Sequence, residues 1–446
     1  MSTYDEKKAR LQADLRAAPM DGTVGLAKAT SNLFRDRVAR AAPRIDLGHF
    51  NAVVRVDEAA GLVEAEGMAT YVDLVDATLS HGRMPAVVPQ LKSITLGGAV
   101  AGVGIEASSF RQGLVHDTVV AMEVLTGDGR IVACTADNEH RDLFHGFPNA
   151  YGTLGYALKV TAKTLPVNRY VRVDHRRFTD PAACFAEVAR RCAAAEADFL
   201  DGVVFAPDEL VLTAGRFADD APYTSDYTFD RIYYRSLRER ATDYLTARDF
   251  LWRWDTDWFW CSKNVGAQHP LVRRFLGRER LNSITYQKIM RWNGRSGVGA
   301  FWNRLRGVHA EPVIQDVDIP IERAAAFLAF FHAEVGILPI WICPIRAPEP
   351  GGSATLYPLP AGTVSINFGF WDAVQTREPR ENGYCNRKIE RKVRELGGIK
   401  SLYSDSYFTP EEFWAIYDRP AYLALRKRYD PEGRLPDLYA KCVLRH

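Results

Sequence analysis

The stretch VVPQLKSITLGGAVAGVGIEASSFRQG, residues 87–113, gathers Gly97, Gly98, Gly102, Gly104 and Gly113 around the hydroxyls of Thr95, Ser108 and Ser109. Glycines this dense let backbone N–H groups approach a phosphate, and neighbouring hydroxyls add donors. The spacing excludes two common cradles. It runs G-x-x-x-G-x-G from Gly98 to Gly104 rather than G-x-G-x-x-G, and no Gly-Lys-Ser/Thr follows. Two readings stand: an anion nest for a pyrophosphate, or plain tight turns in a strand-rich packing.

Other reactive side chains are dispersed. His49, His116 and His309 stand alone, and Cys343 in WICPI has no histidine beside it, so the sequence offers no nucleophile–base pair there. Seven cysteines without a CxxC pair read as reduced thiols with no zinc site, and no metal is expected. A net charge of +2 without a long basic block argues against nucleic acid as a partner. FLWRWDTDWFWCSKN, residues 250–264, crowds Trp252, Trp254, Trp258, Phe259 and Trp260 beside Arg253 and Lys263. Tryptophan next to charge suits a membrane interface, whereas the favoured reading is a core or the wall of an apolar ligand site.

The scaffold for these residues reads as α+β. A chain of 446 residues is long for one domain. From residue 51 to 167 short strands dominate, with a helix in TYVDLVDATLSHG and a hairpin in TVVAMEVLTGDGRIVAC turned at Gly127-Asp128-Gly129. Beyond residue 167 the order strand, helix, strand, strand occurs twice, which predicts an antiparallel sheet with helices on one face. Asp180 and Pro181 open the first of those helices, and Thr409 caps a later one at Pro410. The apolar run at 324–345 is long enough to span a bilayer, but His332, Glu334 and Pro339 interrupt it, so a buried helix and strand are expected. The charged first residues contain no apolar h-region, so no secretory signal is expected. Residues 223–307 support no assignment.

VPQLKSITLGGAVAGVGIEASSFRQGL resembles the first flavin loop of the FAD-binding PCMH-type (vanillyl-alcohol-oxidase) superfamily, whose Pro-x(5)-Thr-x-Gly-Gly pattern falls on Pro89, Thr95, Gly97 and Gly98. DLFHGFPNAYGTLGYALKVTAKTLPV resembles the second loop, with Gly152, Thr153, Leu154 and Gly155. LPIWICPI, YSDSYFTPEEFWAIYD and YDPEGRLPDLYAKC narrow the resemblance to the delta-24 sterol reductases and the bacterial flavoprotein reductases of methyl-branched fatty acid synthesis. The resemblance runs from about residue 30 to the end. It implies an FAD-binding part at 1–167, a substrate cap at 168–400 and a segment at 401–446 that returns to the FAD part. The attachment histidine of many superfamily members has no counterpart in TSNLFRDR, residues 30–37, so the FAD is expected to be non-covalent. The eukaryotic sterol enzymes carry an N-terminal membrane anchor, and no such anchor is expected here. A cytoplasmic protein, peripheral at the membrane, is expected.

On this resemblance Pro89, Thr95, Leu96, Gly97, Gly98, Gly102, Gly104, Ser108, Ser109 and Gly113 would hold the pyrophosphate side of FAD. Gly152, Thr153, Leu154 and Gly155 would lie against its adenine or ribityl end. The implied reaction adds or removes hydrogen across a carbon–carbon bond of an apolar lipid chain, which requires a proton donor or acceptor opposite the flavin. Tyr403, Asp405 and Tyr407, which share a face if extended, are the preferred relay, and Glu106 is the other candidate. The alternatives are a structural hydrogen-bond cluster for the first three and an ion pair with an arginine such as Arg111 for Glu106. Reduction of a double bond in a branched acyl chain or sterol side chain is the leading function. A desaturase of a methylated acyl chain and an alcohol or sugar oxidase are the alternatives, and a non-catalytic lipid-binding protein is the reading from outside enzymology. Electrons would come from NADPH or from a reductase partner.

Overall fold

Alternating apolar residues between 53 and 166 build a six-stranded antiparallel sheet. Its order is Val53–Asp57, Leu62–Glu66, Tyr156–Pro166, Val119–Leu125 and Ile131–Cys134, with Arg83–Pro85 also paired to Tyr156–Pro166. The computed structural model describes residues 3–17, 24–27, 34–35, 44–296, 305–348 and 354–445. Helix Tyr71–Leu79 begins at a capping box made by Thr70 and Asp73 and buries Tyr71, Leu74, Val75 and Thr78, with Leu79 partly buried.

The second sheet has eight antiparallel strands. Its order is Thr242–Thr246, Tyr170–Phe178, Glu209–Ala218, Phe199–Ala206, Ile340–Arg346, Val364–Thr376, His309–Pro320 and Ile399–Lys400. The two strand–helix–strand–strand units are therefore real, and they meet where Gly202 pairs with Ile342. Helices Pro181–Ala194 and Ala324–Glu334 pack on one face over a core that includes Leu200, Phe327, Phe331 and Phe368. Asp180 accepts from the N–H groups of Ala182 and Ala183, as its position predicts. The run at 324–345 forms a buried helix and a buried strand, and among the described residues no helix is long and apolar enough to cross a membrane.

The C-terminal helices close on the first sheet's side. Tyr429 donates to Asp142, Arg426 donates to the carbonyl of Thr153, and Lys441 donates to the carbonyl of Tyr151. All seven cysteines are free and buried. The segment at 250–264 is folded inside: Trp252, Trp254, Trp258 and Trp260 are all buried, so the membrane-interface reading of these tryptophans is overturned. Trp254 stacks on Phe259, Trp258 stacks on Phe34, and Trp260 packs against Phe259 and Trp371, so these rings are buried among other aromatic side chains.

Candidate active site

The uncovered face of the second sheet looks onto the glycine loop of the first, and a cavity of about 420 Å³ lies between them. Pro89, Thr95, Gly97, Gly98, Gly102, Gly104, Gly152 and Gly155 line it. Thr95 caps the short helix Leu96–Ala101, and the helix packs tightly on the strand edge: Gly97 N–H donates to the Gly67 carbonyl at 2.9 Å. A Cβ at Gly97 would sit 2.9 Å from that same oxygen, and one at Gly102 would sit 2.8 Å from the Gly98 carbonyl. These glycines are thus needed for close backbone approach within the loop itself. The N–H groups of Leu96, Gly97 and Ala99 are already bonded to backbone carbonyls. Gly98 is exposed to the cavity, and its N–H makes only a long 3.3 Å contact with Thr95 Oγ1.

Not every predicted loop residue reaches the cavity. Ser108 Oγ donates to the Ala86 carbonyl, and Ser109 Oγ accepts from the Glu106 N–H; both side chains are buried in the loop's own turns. Leu96 and Leu154 are core residues, and the Thr153 hydroxyl bonds the Ala150 carbonyl. Gly113, at φ +75°, ends a short helix where a Cβ would meet Asp117. The TSNLFRDR segment lies outside the described residues except Phe34 and Arg35. Arg35 lines the cavity, and Phe34 pairs with the backbone of Tyr403 and Ser404.

Backbone strain gathers here. Val103, Tyr151, Trp258 and Phe259 all have positive φ and all line the cavity. A β-branched residue at φ 58° is costly, and such conformations persist where the surroundings impose them at functional sites.

The opposite wall is aromatic with one acidic corner. Trp341, Gly369 and Asp316 pair in register across three adjacent strands. Gly369 leaves the room for its neighbours, since a Cβ there would lie 2.5 Å from the Trp371 ring and 2.6 Å from Asp316 Oδ1. Trp371 Nε1 donates to the Tyr403 hydroxyl at 2.9 Å. Burial pushes the Asp316 carboxyl up to about 7, with the Tyr403 hydroxyl holding it down and Asp318 adding to the rise. Its Oδ1 has no hydrogen-bond partner among the described residues.

Of the predicted relay, only Tyr403 faces the cavity. A turn at 402–403 breaks the alternation that would have put Tyr403, Asp405 and Tyr407 on one face. Asp405 instead pairs with Arg445, which also donates to the Tyr407 hydroxyl. Glu106 lies behind the wall, in a buried cluster with Arg253 at 3.0 Å, while Arg253 also bonds Asp201 at 2.8 Å. The arginine paired with Glu106 is therefore Arg253; Arg111 pairs with Asp198. Cys343 is buried, and burial raises its thiol well above the ordinary range.

Asp316 escaped the sequence reading, although VIQDVDIP carries its signal. In a strand, Val313, Val317 and Ile319 point to the helix-covered core, so Asp316 and Asp318 must share the opposite face. Asp318 is occupied by Tyr357 at 2.6 Å and Asn367 at 2.8 Å. Gln90 was also missed. It is buried on the cavity wall, and neither end of its carboxamide has a partner among the described residues.

A cavity of this size, with a strained glycine rim, an unpaired carboxamide and aromatic faces, fits a large ligand that is both planar and polar. Arg35 and Lys441 add positive charge at its edge. A family model described as an FAD binding domain matches residues 11–135. The chain is an FAD-dependent oxidoreductase. This flavoprotein is 27% identical to the Delta(24)-sterol reductase of Homo sapiens over 413 residues, covering 87% of this chain and 75% of the relative. It is 24% identical to the Delta(24)-sterol reductase of Pisum sativum, covering 89% and 76%. Cytokinin dehydrogenase 6 of Oryza sativa is 28% identical over 212 residues, covering 47% of the flavoprotein and 39% of the relative.

Proposed function

We propose that this flavoprotein reduces a carbon–carbon double bond in a branched lipid chain, either a methylene- or methyl-branched fatty acyl chain or a sterol side chain. The observation that carries the proposal is the pairing of an aromatic wall with a single buried acid corner, Asp316 and Tyr403, in the cavity that takes FAD. FAD, held without a covalent bond and first reduced by NADPH or a reductase partner, would supply the hydride when bound. Trp258, Phe259, Trp341 and Trp371 offer the acyl or side chain an apolar surface and exclude water. Gln90, Gly98 and the Gly152–Gly155 turn hold the cofactor's polar parts. Tyr403, oriented by the Trp371 indole, and Asp316 hold the proton that reaches the other carbon. A branched alkene suits such an acid, because protonation leaves positive charge on the more substituted carbon. Residues 1–167 would serve as the FAD-binding part, 168–400 as the cap and 401–446 as the strap that brings Tyr403 to the cavity. The sterol reductase names of the relatives support the direction and the apolar substrate.

The test mixes anaerobically reduced holoenzyme with a methylene- or methyl-branched unsaturated lipid. Flavin reoxidation with saturated product is expected. Bleaching of oxidised flavin by a branched monoene, with a diene as product, would make the enzyme a desaturase. Rapid turnover of a small alcohol without response to any lipid would overturn the proposal.

A further inference from the structure

Helices Pro270–Leu276 and Ser283–Ser296 carry large apolar side chains on the outside. Leu271 is 72% exposed, Phe275 82% and Trp292 65%, and Val272, Ile284 and Met290 are exposed beside them. Apolar side chains gathered in this way mark an interaction surface rather than ordinary scatter. Leu271 and Phe275 share one side of the first helix, and Ile284, Lys288 and Trp292 share one side of the second. Between residues 271 and 292 the sequence has six basic residues and one acidic residue; Arg273 is buried against Asp257 and Arg278 pairs with Asp226, so the outward positive excess rests on the exposed Arg274, Arg280, Lys288 and Arg291.

The inner sides of the two helices rest on consecutive residues of one segment, 255–257. Arg273 pairs with Asp257 at 2.7 Å, Ser283 donates to Asp255 at 2.6 Å, and Tyr286 donates to the Thr256 carbonyl at 2.8 Å. The two helices are therefore neighbours. Their support, residues 255–257, runs directly into Trp258 and Phe259 of the cavity wall.

We propose that this face docks on an anionic lipid surface. Charge decides the occupant: two copies of a face with this excess of arginine and lysine repel each other, whereas anionic headgroups attract each of them. Exposed Trp, Phe and Leu beside long basic side chains are the chemistry of a membrane interface, with the rings in the headgroup layer and the basic stems lying along it. Membrane contact thus moves from the buried tryptophans at 250–264 to the helices packed outside them. The surface delivers lipid to the cavity only if the lipid reading above holds, but docking is measured without turnover, so the two can fail separately.

The experiment is flotation of the full-length holoprotein with vesicles of phosphatidylcholine alone and with vesicles containing phosphatidylserine. The protein is expected to float with the anionic vesicles and to be released as salt rises. The exposed pair Leu271→Asp/Phe275→Asp is expected to lower the bound fraction about tenfold or more. The charge-reversed pair Arg274→Glu/Lys288→Glu is expected to lower it on anionic vesicles, with bound FAD in both variants reporting that the fold is intact. The proposal is overturned if the unaltered protein stays at the bottom of the gradient with anionic vesicles, or if both variants float as it does. It is equally overturned if the protein is a dimer that Leu271→Asp/Phe275→Asp splits without any vesicle binding.

Discussion

Burial opposes the charge of the Asp316 carboxyl and pushes it up to about 7, and this gives two signed expectations. In the proposed role of proton donor, Asp316 would work in its protonated form, so the rate of lipid reduction should fall as pH rises through about 7. Asp316→Asn should lower the rate by about two to four orders of magnitude and remove that limb of the pH profile. Stability follows the same proton. The folded chain keeps it where the unfolded chain has lost it, so this contribution is greatest at low pH. It declines between the ordinary carboxylate range and about 7. Stopped-flow rates across pH for the unaltered protein and the variant measure the first effect. A limb that survives in Asp316→Asn would take the proton away from this residue. A rate that rises with pH would mean that Asp316 accepts a proton, as a desaturase requires.

Helix Leu96–Ala101 is held against the first sheet by a contact that tolerates no side chain. Gly97→Val would drive a Cβ to 2.9 Å from the Gly67 carbonyl and 3.2 Å from its Cα. Overpacking of this kind costs about 1–3 kcal/mol. The variant is expected to purify with little FAD and to melt at a lower temperature, read from the flavin-to-protein absorbance ratio and a thermal scan. Full occupancy at the unaltered melting temperature would show that the loop's position does not govern cofactor binding. The elements around it were largely legible in sequence. The Thr70 capping box, the Asp180 and Thr409 caps and the doubled strand–helix–strand–strand order all follow local rules. The segment from 223 on was not, because short helices such as Pro270–Leu276 are held by tertiary bonds such as Arg273 to Asp257 rather than by periodicity.

Across the whole molecule, Arg253 ties the two sheets together. It bonds Glu106, which follows the glycine loop, and Asp201, which belongs to the eight-stranded sheet; the indoles of Trp254 and Trp341 also donate to Asp201. Burial pushes Glu106 up to about 7, with Arg253 opposing the rise and Asp201 adding to it. Removing the guanidinium alone leaves two buried carboxylates without their counter-ion, a loss of about 3–5 kcal/mol. Arg253→Met should therefore unfold at markedly lower denaturant. Neutralising Glu106 and Asp201 to their amides in the same chain should recover part of the loss. An unchanged unfolding midpoint for Arg253→Met would show that the cluster is not what joins the sheets.

The sequence by itself determined the α+β class and, through its resemblance to known flavoproteins, the FAD cofactor, because caps, alternation and loop motifs are local and each leaves its mark within a few residues. Only the tertiary structure decided which acid meets the cavity. Asp316 and Tyr403 are 87 residues apart in the chain, and they come together because a strand of one sheet pairs in register while a C-terminal turn folds back against it. The same holds for the tryptophans of residues 250–264. Their composition fitted both a membrane surface and an interior, and the choice fell to the interior because tertiary packing sets them among aromatic side chains such as Phe34, Phe259 and Trp371.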